Sequence, residues 1–145
     1  MADQASSNIV INAPTEDVLA VIADIASYPQ WTGQIKSAEV LETDADGRPQ
    51  QARFVMDAGV LKDEYTLAYD WTESGVSWQL IGKSTVQKSQ VGSYEVVATG
   101  SGTEVTYLLT LESKIPMIGP MKRKANKMII DTALRELKKR VESLG

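Results

Sequence analysis

The chain has neither histidine nor cysteine in 145 residues, so few side chains are suited to moving a proton or attacking an electrophile. Without cysteine there is no disulfide, thiolate nucleophile or sulfur-ligated metal. Without histidine, the side chain that titrates near neutral pH is missing, along with the commonest zinc ligand. Mechanisms of the Ser-His-Asp and Cys-His type are excluded. Acid–base chemistry would fall to a carboxylate, a shifted lysine or a tyrosine. Asp63 and Tyr94 are the candidate polar anchors. Asp63 shares the parity of Tyr65 in a strand-like run, and a buried carboxylate beside phenol hydroxyls could orient a ligand's polar head or act as an acid with a raised pKa. Arg53 and Glu95 are further inward candidates. In the competing reading Asp63 lies near its strand end, in solvent or paired with a lysine or arginine, since acidic residues are rarely fully buried. No catalytic residue, metal ligand set or cofactor motif is assigned.

The elements that would position these residues follow from the apolar pattern. Asn8–Asn12 reads as a first strand. Pro14, Glu16 and Asp17 open a helix carrying Val18, Leu19, Ile22 and Ile25, with Ala13 a poor cap. A short turn follows around 27–31. From Ile35 the period becomes 2, with strand-like runs at 35–44, 50–58, 61–72, 76–84, 87–99 and 103–113, separated by breaks such as Asp44–Pro49, Ala58-Gly59 and Gly100–Gly102. Connections this short require antiparallel neighbours. Leu61, Tyr65, Leu67, Tyr69 and Trp71 alternate with Lys62, Glu64, Thr66 and Asp70, so one sheet face is covered and the other wet.

The cover is a helix from about Met117 to Leu144, roughly 40 Å at 1.5 Å per residue. Its expected apolar stripe is Met117, Ile118, Met121, Ala125, Met128, Ile129, Thr132, Ala133, Leu137, Val141 and Leu144. From residue 113 onward nine basic residues face three acidic ones, +6 net, leaving −10 for the remainder of a chain of net charge −4. An acidic body argues against nucleic acid as a partner. The basic helix face is a candidate for transient contact with anionic lipid, against the plainer reading of a solvated face.

Hydrophobic residues make up 43% and charged residues 23%, as in globular proteins. The length fits one domain over 1–145. The polar start and the lack of a long apolar run predict a cytoplasmic protein.

Several short motifs then carry a resemblance: Ile11-Asn-Ala-Pro14 leading to Val18 and Asp24, Tyr28-Pro-x-Trp31, Gly92-Ser-Tyr94, Gly102-Thr-x-Val-Thr-Tyr107 and Leu137-Lys-x-x-Val-Glu142. In this order they resemble the START-like superfamily, which includes the Bet v 1 allergens. Within it the chain is similar to the polyketide cyclase/dehydrase and lipid transport group and to coenzyme Q-binding START proteins. The resemblance implies an α+β helix-grip fold (β-α-α-β6-α), in which a curved antiparallel sheet wraps a long C-terminal helix around an apolar cavity. It also implies a lipid, sterol, polyketide or quinone as ligand, and it does not fix a reaction.

The expected cavity wall is Tyr65, Leu67, Tyr69, Trp78, Leu80, Leu109 and Leu111. Phe54 and Met56 join from the neighbouring strand, and Met117, Met121 and Met128 from the helix; methionine adapts its shape to apolar ligands. Tyr28, Pro29 and Trp31 are expected to cap one end beside residues 117–121. A plainly packed core is the alternative to an open cavity. Three functions follow: a carrier or sensor of a small hydrophobic ligand, a cyclase or dehydratase using a cavity carboxylate or tyrosine, or a protein-interaction module. Ligand identity and oligomeric state are left open.

Overall fold

The computed structural model describes residues 4–57 and 62–144. Strand β1 (Gln4–Ile11) leads to helix α1 (Thr15–Ala23) and a 3-10 turn (Ile25–Gln30). Six strands follow: β2 (Ile35–Thr43), β3 (Pro49–Asp57), β4 (Lys62–Thr72), β5 (Gly75–Ile81), β6 (Gln87–Ala98) and β7 (Thr103–Ser113). Helix α2 (Gly119–Leu144) ends the chain. The strands form one antiparallel sheet in the order β1-β7-β6-β5-β4-β3-β2, so only β1 pairs out of sequence. This is the expected helix-grip arrangement of a curved sheet and a long C-terminal helix, with strand limits within a few residues of those read from periodicity. Leu61 and the Ala58-Gly59 break lie outside the described residues.

Local chemistry explains the boundaries. Pro14 is extended and serves as N-cap without a side-chain bond, while Glu16 and Asp17 in the first turn favour the helix N-terminus. The β2–β3 turn closes on Asp44, whose carboxylate accepts bonds from the Asp46 and Arg48 amides at 2.9 Å, with Gly47 at φ 83° completing it. Two motif glycines are explained by close approach. A Cβ on Gly92 would lie 2.4 Å from the Trp78 indole, and one on Gly102 would lie 2.2 Å from the Ile11 carbonyl oxygen.

The alternation of β4 holds: Asp63 and Leu67 are buried, and Tyr65, Tyr69 and Trp71 half-buried, on the concave face. Val76 and Trp78 from β5 and Val105, Tyr107 and Leu109 from β7 complete this core. Arg53 and Glu95 instead face outward, Arg53 pairing with Glu64 and Glu95 accepting from Ser74.

Helix α2 corrects the expected stripe. Its buried residues are Asn126, Ile130, Leu134, Leu137 and Val141. Met117, Met121 and Met128 are exposed, the last two by 57% and 60%. They therefore do not line the inner wall. At about 100° per residue, Met121 and Met128 lie on the side opposite Leu137, whereas the 126–130–134–137–141 spacing holds one face. The helix carries two apolar rows, and the one with fewer large residues at its start packs inward.

Helix α2 runs chiefly along β1, with lesser contact to β7 and α1. Lys127 and Lys138 donate to the Ser6 and Val10 carbonyls at 3.0 and 2.8 Å. From its other side Glu136 accepts from the Gly33 amide at 3.1 Å, and Arg140 donates to Gln30 at 3.2 Å. The helix thus bridges the two sides of the curled sheet.

Candidate ligand-binding site

Every aromatic residue of the chain joins one of two chains of ring contacts on the concave side. In the first, Trp31 meets Tyr28 edge-on at 5.1 Å, Tyr28 stacks on Phe54 at 6.1 Å, and Phe54 stacks on Tyr65 at 5.4 Å. In the second, Trp71 stacks on Tyr69 at 6.2 Å, and Tyr69 leads to Trp78 at 6.0 Å. Trp78 then packs against Tyr94 and Tyr107 at 5.3 and 5.6 Å. Register sets these contacts. Phe54 pairs with Tyr65, Tyr69 with Trp78, and Tyr94 with Tyr107 across adjacent strands. Trp78 lies opposite Gly92, whose missing side chain leaves room for the indole.

The tyrosine hydroxyls define the polar character of this interior. Burial pushes Tyr28, Tyr65, Tyr69, Tyr94 and Tyr107 well above the ordinary value of 10.0; neighbouring tyrosines add to the shift of all but Tyr65, on which Asp63 acts instead. All five therefore stay protonated at neutral pH. Tyr28 donates to the Ile22 carbonyl. The hydroxyls of Tyr65, Tyr69, Tyr94 and Tyr107 have no hydrogen-bond partner among the described residues, yet none is sealed by neighbouring atoms.

Asp63 is buried, 3% exposed, but it is not paired with a lysine or arginine. Its carboxylate accepts from the Ser84 hydroxyl, the Thr85 amide and the Gln87 side-chain amide, each at 2.8 Å. The Glu64 amide adds a further bond at 2.8 Å. These donors tie the β5–β6 connection to the start of β4. From Gln87 a polar ladder continues inward: the Gln90 amide donates to Gln87 at 2.6 Å, and the Trp78 indole donates to Gln90 at 2.9 Å. Gln87, Gln90 and Ser84 were missed in the sequence. A register shift between Gln87 and Ser89 lets residues 87 and 90 share a face that strict alternation would split.

Among the other expected wall residues, Phe54, Leu67, Trp78 and Leu109 are buried, Leu80 and Leu111 are half-buried against the core, and Met56 is half-buried. Met56 lies opposite Asp63. Trp31 does not sit beside 117–121. It borders a groove of about 320 Å3 with Val21, Asp24, Arg140, Val141 and Leu144, at the C-terminal part of α2. Tyr107 belongs to the aromatic interior although it was not singled out; its alternation with Val105 and Leu109 was the available signal. Among the described residues no cluster of three or more potential metal ligands occurs.

Comparison with known families settles the lineage. The family model for polyketide cyclase / dehydrase and lipid transport matches residues 3–142. The chain belongs to this START-like family. A START superfamily protein from Mycobacterium smegmatis is similar in structure, with TM-score 0.90 and 25% identity over 98% of this chain and 99% of that one. The Zhui aromatase/cyclase from Streptomyces sp. R1128 aligns with TM-score 0.80 at 12% identity, over 98% of this chain and 94% of that one. A STAR-related lipid transfer protein from Xanthomonas axonopodis aligns with TM-score 0.68 at 16% identity, over 96% and 85%. The last two likenesses concern the fold alone. Comparison with curated protein sequences gives no significant match. The structural neighbours thus include both a cyclase and a lipid transfer protein by name. No helix among the described residues is long and apolar enough to cross a membrane.

Proposed function

We propose that the chain binds a small, largely apolar ligand carrying a ring and an oxygen acceptor, and does so without chemistry. The observation that carries this reading is the set of four donor hydroxyls, on Tyr65, Tyr69, Tyr94 and Tyr107, unpartnered in an aromatic interior. Aromatic faces supply apolar contact, and a phenol hydroxyl without a protein partner can donate to a ligand carbonyl or hydroxyl. A quinone, polyketide or sterol has this chemistry. Catalysis is disfavoured by the same groups. Phenols held above their ordinary range are poor acids and provide no base, and Asp63 is engaged by donors from Ser84, Thr85, Gln87 and Glu64. A general base needs a free lone pair within reach of the substrate.

Native mass spectrometry of protein purified from its own host is expected to show a bound small molecule. A thermal-shift panel of quinones, polyketides, sterols and fatty acids should favour ring compounds bearing carbonyls. Tyr69→Phe with Tyr94→Phe should weaken the best of these by about 1–3 kcal/mol in total. A ligand-free spectrum with no shift across the panel would overturn the reading. Turnover of any panel member would replace it with the enzymatic one.

A further inference from the structure

The far end of the molecule has a surface that ligand binding does not use. Between β7 and α2 the chain reads Ile115-Pro116-Met117-Ile118-Gly119-Pro120-Met121, seven residues without a polar side chain. All seven are exposed, Ile118 by 66%. Met128 and Ile129 extend the patch along the outer side of α2. Exposed contiguous apolar surface of this kind marks an interaction site more often than scattered apolar residues do. Every residue of the segment is in water, so it projects rather than lining a groove.

The charges around it are mainly basic, with Glu112 at the end of β7 paired to Lys122 at 2.6 Å. Lys114 precedes the segment and Lys122, Arg123 and Lys124 follow it. The topology brings the β5–β6 connection to this end. Asp63, at the start of β4, is bonded to Ser84 and Gln87, and Lys114 donates to the Ser84 carbonyl at 2.6 Å. Lys83 and Lys88 come with this connection. At the opposite end, where β1 passes to α1 and the β2–β3 and β4–β5 turns lie, Glu16, Asp17, Asp46 and Glu73 accompany Arg48, Lys138 and Arg140. The apolar tip therefore stands among the exposed lysines Lys83, Lys88, Lys114 and Lys124. Beside the tip opens a groove of about 370 Å3 lined by Gln4, Ala5, Arg123, Lys124, Asn126 and Lys127.

We infer that this end docks on an anionic lipid bilayer, with Ile118 and Met121 among the headgroups and Lys83, Lys88 and Lys124 facing the surface charge. Protein interfaces are enriched in aromatic residues, methionine and arginine and depleted in lysine at their cores, and of these the tip shares only its methionines and Arg123. This tip has no aromatic residue and is ringed mainly by lysine, the pattern of an interfacial anchor. The docking surface does not depend on the ligand-binding reading, since it shares no residue with the aromatic interior.

The test is vesicle flotation with phosphatidylcholine alone and with phosphatidylglycerol added, at low and high salt. Binding should favour the anionic vesicles by roughly tenfold or more and weaken with salt. Ile118→Asp with Met121→Asp, and separately Lys83→Glu with Lys124→Glu, should each lose about tenfold or more while circular dichroism stays unchanged. Leu144→Asp, 62% exposed at the other end of α2, should bind as the parent does. The inference is overturned if the parent binds neither vesicle, if the two vesicle types bind equally, or if Leu144→Asp loses as much as the tip variants. Self-association removed by Ile118→Asp with Met121→Asp, without vesicle binding, would assign the tip to a second copy and also overturn it.

Discussion

Asp63 illustrates how a single residue can invite a catalytic reading and serve another purpose. It was legible in the sequence as an inward carboxylate beside Tyr65, but its donors were not, because Ser84, Thr85 and Gln87 reach it only through the fold. Burying a carboxylate costs several kcal/mol unless it is bonded, and these neutral donors offset that cost. Asp63→Asn replaces an acceptor with a donor facing other donors. It is expected to lower stability by about 2 kcal/mol in urea denaturation while ligand affinity changes little. The tyrosines carry a second prediction. Their folded pKa values lie above the ordinary 10.0, so the unfolded chain releases its phenolic protons first as pH rises. Their contribution to stability is fully present below about pH 10 and is lost above it. Urea midpoints measured across alkaline pH should fall there, and tyrosinate absorbance should rise together with unfolding rather than before it.

At the level of elements, the strands were far more readable than the long helix. Period-2 alternation in β4 and β7 admits one inward face, because the other carries Lys62, Glu64, Glu104 and Thr106. Helix α2 admits two, since Met121 and Met128 form one apolar row and Ile130 and Leu134 another. Hydrophobicity alone favoured the methionines; shape decided for the second row, which seats Asn126 against the sheet. Truncation separates the two rows. Leu134→Ala, at a buried position, is expected to cost about 2–5 kcal/mol, and Met128→Ala no more than about 0.5 kcal/mol. Equal losses in chemical denaturation would mean that the helix is rotated from the orientation described. The inward positions of Tyr65, Tyr69 and Trp78 were legible for the same reason as the strands, by alternation. Tyr107 was not singled out, and Trp31 was expected at the other end of α2. The polar ladder was not legible, because the irregularity at Gln87–Ser89 breaks the alternation that reading a sequence relies on.

Taken as one body, the molecule is an open curl of sheet closed by α2, and the closure is uneven along its length. Toward the C-terminus Leu134, Leu137 and Val141 are buried, and Glu136, Lys138, Arg140 and Glu142 reach neighbouring segments on both sides. Toward the N-terminus the outer methionines are in water. The inward position there is Asn126, 3% exposed, with its Nδ2 unpartnered. An unmade bond at a buried amide costs about 1–3 kcal/mol, so Asn126→Leu should raise stability by about 1–2 kcal/mol in thermal or urea unfolding. Hydrogen exchange should be faster over 119–128 than over 134–144, and the variant should narrow that difference. A stave seated on apolar side chains at one end and held at the other by the polar contacts of Lys122 and Lys127 separates how tightly a cargo is held from how long it stays. Residence time would then follow the lifting of the first turns of α2, and Asn126→Leu should slow both uptake and release while leaving their ratio nearly unchanged.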